Sequence, residues 1–523
     1  MANEKNVMIP KEKFAFVNAG ERISDKKFED KPIGYLKDAW IRFRKSRASV
    51  VAAVIIICIV LYAFLAPLLI TAHDSSLMVA YYAKKAPRVA ALREIGICTG
   101  GVNRSFSEKS LIYTVALGVG AEDTEGKGDV TIQQGLDSEY QPMLHIGDPY
   151  IQIDGSKKEQ TYYKGVIDNY LEVGFTYLSI QQSELANILA WQEETGKQIL
   201  YPLIEKNEYC MDSENANYWY KAQKNSPIRV DASGNKTTLK YSPDMVLQDN
   251  YKRDANGDPI YYEHTGGGTL ATAQYKIRVL YYNYYQYLYG STPDYLMGTD
   301  VQGYDLALRI AGGIKLSLLI AVAVSVINFL IGAIYGAIEG YYGGAVDIIL
   351  ERVSDVLSGM PFIVVATLFQ LHLAKKLGPV VCLIFAYVVT GWIGTASRVR
   401  TQFYRFKNQE YVMAARTLGA RDRRIIWKHI FPNTLGTLIT SSALIIPSTI
   451  LSESMLSFLG IVKMSGTTTS LGTLLSDASA IWTNYPHLML YPALIISLLM
   501  ICFNLFGNGL RDAFNPALRG VEE

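Results

Sequence analysis

Apolar positions in this chain fall into blocks long enough to cross a bilayer, separated by polar stretches, rather than into the short periodic runs of a soluble globule. The blocks predict six transmembrane helices at 50–70, 316–338, 355–373, 378–395, 435–458 and 488–506. Pro361 bends the third and Pro447 lies in the middle of the fifth. Residues 1–49 carry twelve Lys or Arg, ending in Arg42, Arg44, Lys45 and Arg47 directly before the first block. That excess predicts a cytoplasmic N-terminal segment, with an interfacial helix over 33–43 leading into the membrane. The first block is too long for a cleaved signal peptide and lacks a small-residue cleavage site. Residues 339–354 read as a short cytoplasmic loop. Residues 398–433 read as a longer one, with nine Lys or Arg between Arg398 and Lys428 against two acids. These charges outweigh Lys375 and Lys376, which alternation places outside, and they put both chain ends, including the tail 507–523, in the cytoplasm.

The segment 71–295 breaks this rhythm. It holds no apolar run of 18 residues, yet 25 of the 36 tyrosines lie between Thr71 and Asp300. Residues 231–235 and 254–258 are turn-rich and sit between strand-like stretches at 227–230, 237–241 and 259–262, which predicts hairpins. Residues 170–195 read as more helical. The predicted fold is therefore an α-helical polytopic membrane protein with an inserted extracytoplasmic α+β domain. Asp254, Asn256 and Asp258 hint at a calcium loop, but the position that needs glutamate is His264, so the reading is a plain turn. His145 and His264 have no partners at metal-ligand spacing. From Thr71 to Asp300 there are 21 Lys or Arg against 29 Asp or Glu, a balance of −8; the chain as a whole is +2, leaving +10 for the rest. The basic excess thus belongs to the membrane flanks and calls for no nucleic acid. Cys58, Cys382 and Cys502 lie in apolar blocks and read as small buried hydrophobes. Cys98 and Cys210 share a compartment that permits a disulfide.

The stretch EYVMAARTLGARDRRIIWKHIFPN, 410–433, reads as two helical pieces, 410–417 and 421–430, hinged at Leu418-Gly419-Ala420, with Pro432 ending the second. Ala414 and Ala415 leave one face nearly bare, so another protein can approach the backbone closely. Gly419 supplies a turn that other residues adopt poorly. Gly332, Gly336 and Gly340 recur every four residues and predict a helix contact. Glu453 is an acid in mid-span among Ser452, Ser454 and Ser457. Such a group either lines a polar path or is held between helices, and the residues alone leave both open. Asn328 and Gln370 are weaker path candidates. No GxxxxGK[ST] phosphate loop occurs, and no catalytic triad has local support, so no enzyme active site is read.

Glu410, Ala414, Ala415 and Gly419, followed by Ile430-Phe431-Pro432, resemble the EAA loop of binding-protein-dependent ABC importer permeases. The fuller string is similar to the C-type permease subunits of oligopeptide, dipeptide and nickel importers. MGTDVQGYDLALRIAGGIKLSL from Met297, IPSTILSESMLSFLG over 446–460 and FGNGLRDAFNP over 506–516 extend the likeness across 30–70 and 296–516. Tyr304 stands where the family has arginine, and Leu471 where a tryptophan is common. The inserted domain has no counterpart in the resemblance. The resemblance implies alternating access driven by two ABC ATPase subunits, which bind ATP and Mg, with no cofactor in this chain. It also implies a second permease subunit, an extracytoplasmic substrate-binding protein and surrounding membrane lipid as partners. Peptide cargo is the first expectation, nickel or another small solute the second. A passive membrane-anchored receptor is the rival class, and an intact ATPase-docking loop argues against it.

Overall fold

A computed structural model describes residues 35–514 except 71–72, 75, 94, 154–158, 205–216, 219–227, 231–235, 238–239, 248–250, 267–272 and 465–467. Among the described residues five helices are long and apolar enough to cross a membrane: Arg47–Leu69, Leu306–Tyr342, Pro379–Phe406, Asp422–Phe458 and Pro486–Phe514. Gly344–Ser358 and Phe362–Leu377, bent by 71° at Pro361, make a sixth if they cross together. Ile59, Ile310, Ile450 and Leu499 bring the first, second, fifth and sixth spans into one core. An amphipathic helix, Tyr35–Lys45, precedes the first span, close to the interfacial helix expected there.

Several helices run past the predicted span ends, and each extension has a local cause. The second helix starts at Leu306 rather than 316, because the Asp305 carboxylate caps it by accepting from the amides of Ala307 and Leu308 at 2.8 and 3.4 Å. No loop occupies 339–354: the helix runs to Tyr342 and the next begins at Gly344, with Gly343 and Gly344 at φ +65° and +56° making the turn. Gly344–Ser358 escaped the hydropathy reading because it is apolar on one side only, with Ile348, Ile349 and Val356 outward and Asp347 buried. The fourth span continues past 395 to Phe406, since Arg400 and Tyr404 find polar partners there. Pro432 does not end a helix. One turn of π-helix, Ile425–Ile430, sends the Phe431 amide to the Ile426 carbonyl, and Pro432 then sits in the first turn of Phe431–Ala443. Widening the turn before a proline removes the clash its ring would otherwise make with the carbonyl four residues back. Pro447 acts more simply: its missing N–H breaks the ladder at Leu444, where Phe431–Ala443 gives way to Ile445–Phe458.

The inserted domain is built on antiparallel sheets. Glu159–Asp168 lies between Gly101–Ser107 and Met143–Ile153, and the helix Glu108–Glu122 packs on this sheet through Leu111, Ile112 and Val115. Gln274–Leu280 centres a second sheet, pairing with Phe175–Gln181 on one side and with Tyr262–Gly266 and Leu200–Tyr201 on the other. Phe175–Gln181 corrects the helical reading of 170–195: FTYLSIQ is β-branched and aromatic, and helix begins only at Gln182. Residues 254–258 form the expected turn, closed by the Arg253–Pro259 bridge and by Asp254 accepting from the amides of Asn256 and Asp258. The 231–235 loop lies outside the described residues, although its flanking strands Ile228–Val230 and Lys236–Thr237 pair.

The domain joins the bundle through close backbone contacts. A Cβ on Gly298 would lie 2.2 Å from the Lys85 carbonyl oxygen, and one on Gly303 2.1 Å from that of Val79. Asp300 accepts from three amides, 302 to 304, and from Arg309 Nε at 3.1 Å, so the entry to the second span is rigidly tied. Tyr304, standing where the family has arginine, lies under the Arg309 guanidinium at 4.8 Å.

Candidate functional site

The loop at the bundle end opposite the inserted domain begins at Lys407. Its helix Glu410–Thr417 closes with two hydrogen bonds: Gly419 N–H to the Arg416 carbonyl at 3.0 Å and Ala420 N–H to the Ala415 carbonyl at 3.0 Å. This pairing, with Gly419 in the left-handed region at φ +79°, is a Schellman cap. The string AARTLGA is therefore a helix and its stop signal in one. No atom lies within 4 Å of where a Gly419 Cβ would be, so the conformation, not space, demands glycine.

One side chain sets which way this helix faces. Val412 is fully buried against Tyr341, Val399, Phe403, Ile425 and Ile426, at the ends of the second and fourth spans and in the π-turn. Burying a valine contributes about 1.5–3 kcal/mol, enough to fix a two-turn helix to the bundle. Arg416 donates to the Tyr341 hydroxyl at 3.4 Å, and Tyr341 donates to Asp422 at 2.5 Å, tying both halves of the loop to the second span. Asn433 donates to the Tyr411 hydroxyl at 3.1 Å. The opposite face is left open: Glu410, Met413, Ala414 and Leu418 are exposed, Leu418 at 87 %, and Ala415 is half-buried. Pro432 is also exposed, and Ala420 packs at the edge of the Val412 cluster.

Behind the loop, Arg400 holds three helices together. It donates to Asp347 through Nε and Nη2 at 2.6 and 2.8 Å, and to Glu351 through Nη1 and Nη2 at 2.8 and 3.1 Å, with Glu339 at 3.9 Å. Lys407 donates to the Gly340 carbonyl at 3.0 Å. A displacement of the loop therefore has a stiff path into the second, third and fourth spans. Neither Val412 nor Arg400 stood out in the sequence, one a common apolar residue and the other one of nine basic charges. Tyr341, Val399 and Phe403, which receive Val412, come from separate helices, and no local pattern brings them together.

Residues 329–520 match the family model described as the binding-protein-dependent transport system inner membrane component, and residues 34–87 match the N-terminal transmembrane domain of oligopeptide transport permease C. The oligopeptide transport system permease protein OppC of Bacillus subtilis (strain 168) is 40 % identical over 226 residues, which span 43 % of this chain and 73 % of that one. The dipeptide transport system permease protein DppC of the same strain is 41 % identical over 227 residues, 43 % of this chain and 70 % of its own. The OppC protein of Escherichia coli (strain K12) is 36 % identical over 231 residues, 43 % and 75 % respectively. The chain belongs to this permease family. It is a multi-pass membrane permease of an ABC importer and not itself an ATPase, since hydrolysis in such importers falls to separate subunits. Residues 88–328, with nearly all of the inserted domain, lie outside both family models.

The remaining sequence candidates sit within the permease's own packing. Glu453 is fully buried and accepts from Ser317 and Ser457, each at 2.9 Å, joining the fifth span to the second. Ser470, which caps the short helix Leu471–Ser479, reaches Ser457 at 3.5 Å. Gln370 donates to the Pro379 carbonyl at 2.8 Å across the turn at Gly378. Asn328 is buried against Gly391, where an added Cβ would meet its amide nitrogen at 2.3 Å. Gly332, Gly336 and Gly340 face the fourth span, at Trp392–Ala396 and Arg400–Phe403. Cys382 and Cys502 are buried, whereas Cys58 is exposed on the first span, correcting its buried reading. Cys98 is half-buried, and Cys210 lies outside the described residues.

Proposed function

We propose that this permease imports oligopeptides across the cell membrane, with both chain ends cytoplasmic and residues 71–295 outside. It forms the path with a second permease, takes cargo from an extracytoplasmic binding protein, and is driven by two ATPase subunits that bind ATP and Mg. The observation that carries the reading is a helix anchored by one buried valine, closed by a glycine cap, and bare on its outward face. Such a helix transmits rigid-body motion from a partner's groove into the spans behind it. The names of the relatives favour peptide cargo over nickel. Glu453, held between its own helices, stabilises the bundle at mid-membrane; Asn328, buried against Gly391, and Gln370, bonded across the turn at Gly378, fasten neighbouring helices in the same way. The inserted domain, with its −8 balance, steers a binding protein of complementary charge.

Gly419→Val tests coupling. A β-branched residue in the left-handed region costs about 1–2 kcal/mol, enough to misaim a two-turn helix but not to unfold the bundle. Membrane levels should stay normal while peptide uptake falls. Ala415→Asp should give the same result by another route, placing a charge where a partner meets a small apolar surface. Normal uptake by both variants at wild-type levels rules the coupling role out. Comparing peptide with nickel uptake in the intact complex decides the cargo.

A further inference from the structure

The inserted domain carries an exposed apolar turn beside the sixth span. Ile95 and Ile97 are 67 % and 54 % exposed, and Gly96 between them, at φ +77°, has nothing within 4 Å of a built Cβ. The turn's own amides are already satisfied: Ile95 and Ile97 donate to the Leu92 carbonyl at 3.2 and 3.0 Å, and Gly96 donates to that of Arg93 at 3.0 Å. With these three donors met internally, the turn brings no orphan N–H of Ile95, Gly96 or Ile97 into an apolar medium, as exposed loop backbone ordinarily would.

Position supplies the occupant. Val89 N–H donates to the Cys98 carbonyl at 2.9 Å, and the neighbouring Arg88 bridges to Tyr295, so the turn hangs from the strip of domain nearest the spans. Lys84 and Lys85, on the same strip, line a cleft together with Tyr485, which directly precedes the sixth-span helix Pro486–Phe514. Leu490, Leu494 and Ile501 begin an exposed apolar stripe at that level, and exposed Trp482 lies just beyond it. Aromatic side chains at the end of an apolar stripe mark the membrane–water interface. The exposed isoleucines thus hang from the strip of domain that meets the start of the sixth-span helix, whose own exposed face is apolar.

We propose that Ile95-Gly96-Ile97 inserts into the lipid leaflet on the inserted-domain side, giving that domain a membrane contact additional to its chain connections. The test uses the full-length permease in native membranes with the photo-crosslinking residue p-benzoyl-phenylalanine placed at 97, at 95, or at the exposed control position 193. Ultraviolet irradiation followed by mass spectrometry of the protein should give phospholipid adducts at 95 and 97 at a yield at least tenfold above that at 193. Adducts to a second permease or a binding protein in place of lipid overturn the proposal and make the turn a protein contact. Lipid adducts no more frequent than at 193 overturn it as well.

Discussion

Where the second span crosses the fourth, the contact is backbone on backbone: a Cβ on Gly336 would stand 2.2 Å from the Ala396 carbonyl oxygen, and one on Gly340 2.8 Å from that of Arg400. The base of the inserted domain is built the other way, with Tyr82, Tyr170, Tyr281, Tyr285 and Tyr295 in one buried cluster. Tyr82 alone meets three of the other rings at 5.2 to 5.3 Å. Lipid chains are as apolar as leucine, so helices in a bilayer gain little by burying large side chains and gain contact by removing them. Facing water, each tyrosine ring buries a large apolar area, and its hydroxyl still needs a partner. Tyr170 donates to the Ala86 carbonyl at 2.9 Å, and the hydroxyls of Tyr285 and Tyr295 lie 3.2 Å apart. The same chain therefore uses its smallest residues to close one region and its largest to close the other.

The largest effect should come from filling the glycine seam. Gly336→Leu forces two helix backbones apart, beyond the roughly 1–3 kcal/mol of ordinary overpacking. Most of the protein should be lost from the monodisperse fraction in size-exclusion chromatography of detergent extracts. Gly394→Leu, on the facing helix but with nothing within 4 Å of its Cβ, should be recovered like the wild type. Equal recovery of the two variants would show that the seam is not closely packed.

The next effect belongs to the inserted domain. Arg88 is buried with Asp168 and Asp294, each at 3.7 Å, and donates to the Tyr282 hydroxyl at 3.1 Å. Burial pulls the guanidinium pKa down, but Asp168, Tyr282 and Asp294 more than offset this and hold it above its ordinary value. Removing one partner of a buried pair costs about 3–5 kcal/mol, because the other charge is left without compensation. Arg88→Met should therefore speed amide exchange in Gly101–Ser107 and Glu159–Asp168 while leaving the span helices protected. Exchange that quickens equally in the spans would mean the two regions do not unfold separately.

These two regions were unequally legible. The spans announced themselves by apolar length and the loop proposed for coupling by Glu410, Ala414, Ala415 and Gly419, all residue types whose geometry is local. Helix ends fall beyond the predicted spans where a remote partner decides them: Arg400 extends the fourth helix because Asp347 and Glu351 wait on another one. Pro432 was misread because a proline can be accommodated by widening the preceding turn as well as by stopping the helix. In the inserted domain the hairpin at 254–258 was visible through its turn residues. The strand 175–181 was missed beside a helix of similar polarity. The tyrosine cluster could be counted but not assembled, since its members come from four separated stretches of chain.

The smallest expected effect tests whether the bundle also borrows the inserted domain's method. Glu453 is a polar group in mid-membrane, and the oxygens of Ser317 and Ser457 hold it from two directions. If its work is to fasten helices, Gln serves nearly as well: the amide oxygen accepts from one serine, and the amide nitrogen donates to the other hydroxyl after it rotates. Interhelical hydrogen bonds of this kind are worth about 0.6 kcal/mol on average. At that value even the loss of one bond changes an equilibrium about threefold, so uptake by Glu453→Gln should stay within that range. A carboxylate that met cargo or carried a proton would behave differently, because Gln keeps the shape and removes the charge. A loss of uptake of tenfold or more, with membrane level and chromatographic profile unchanged, would move Glu453 from the packing of the bundle to its path.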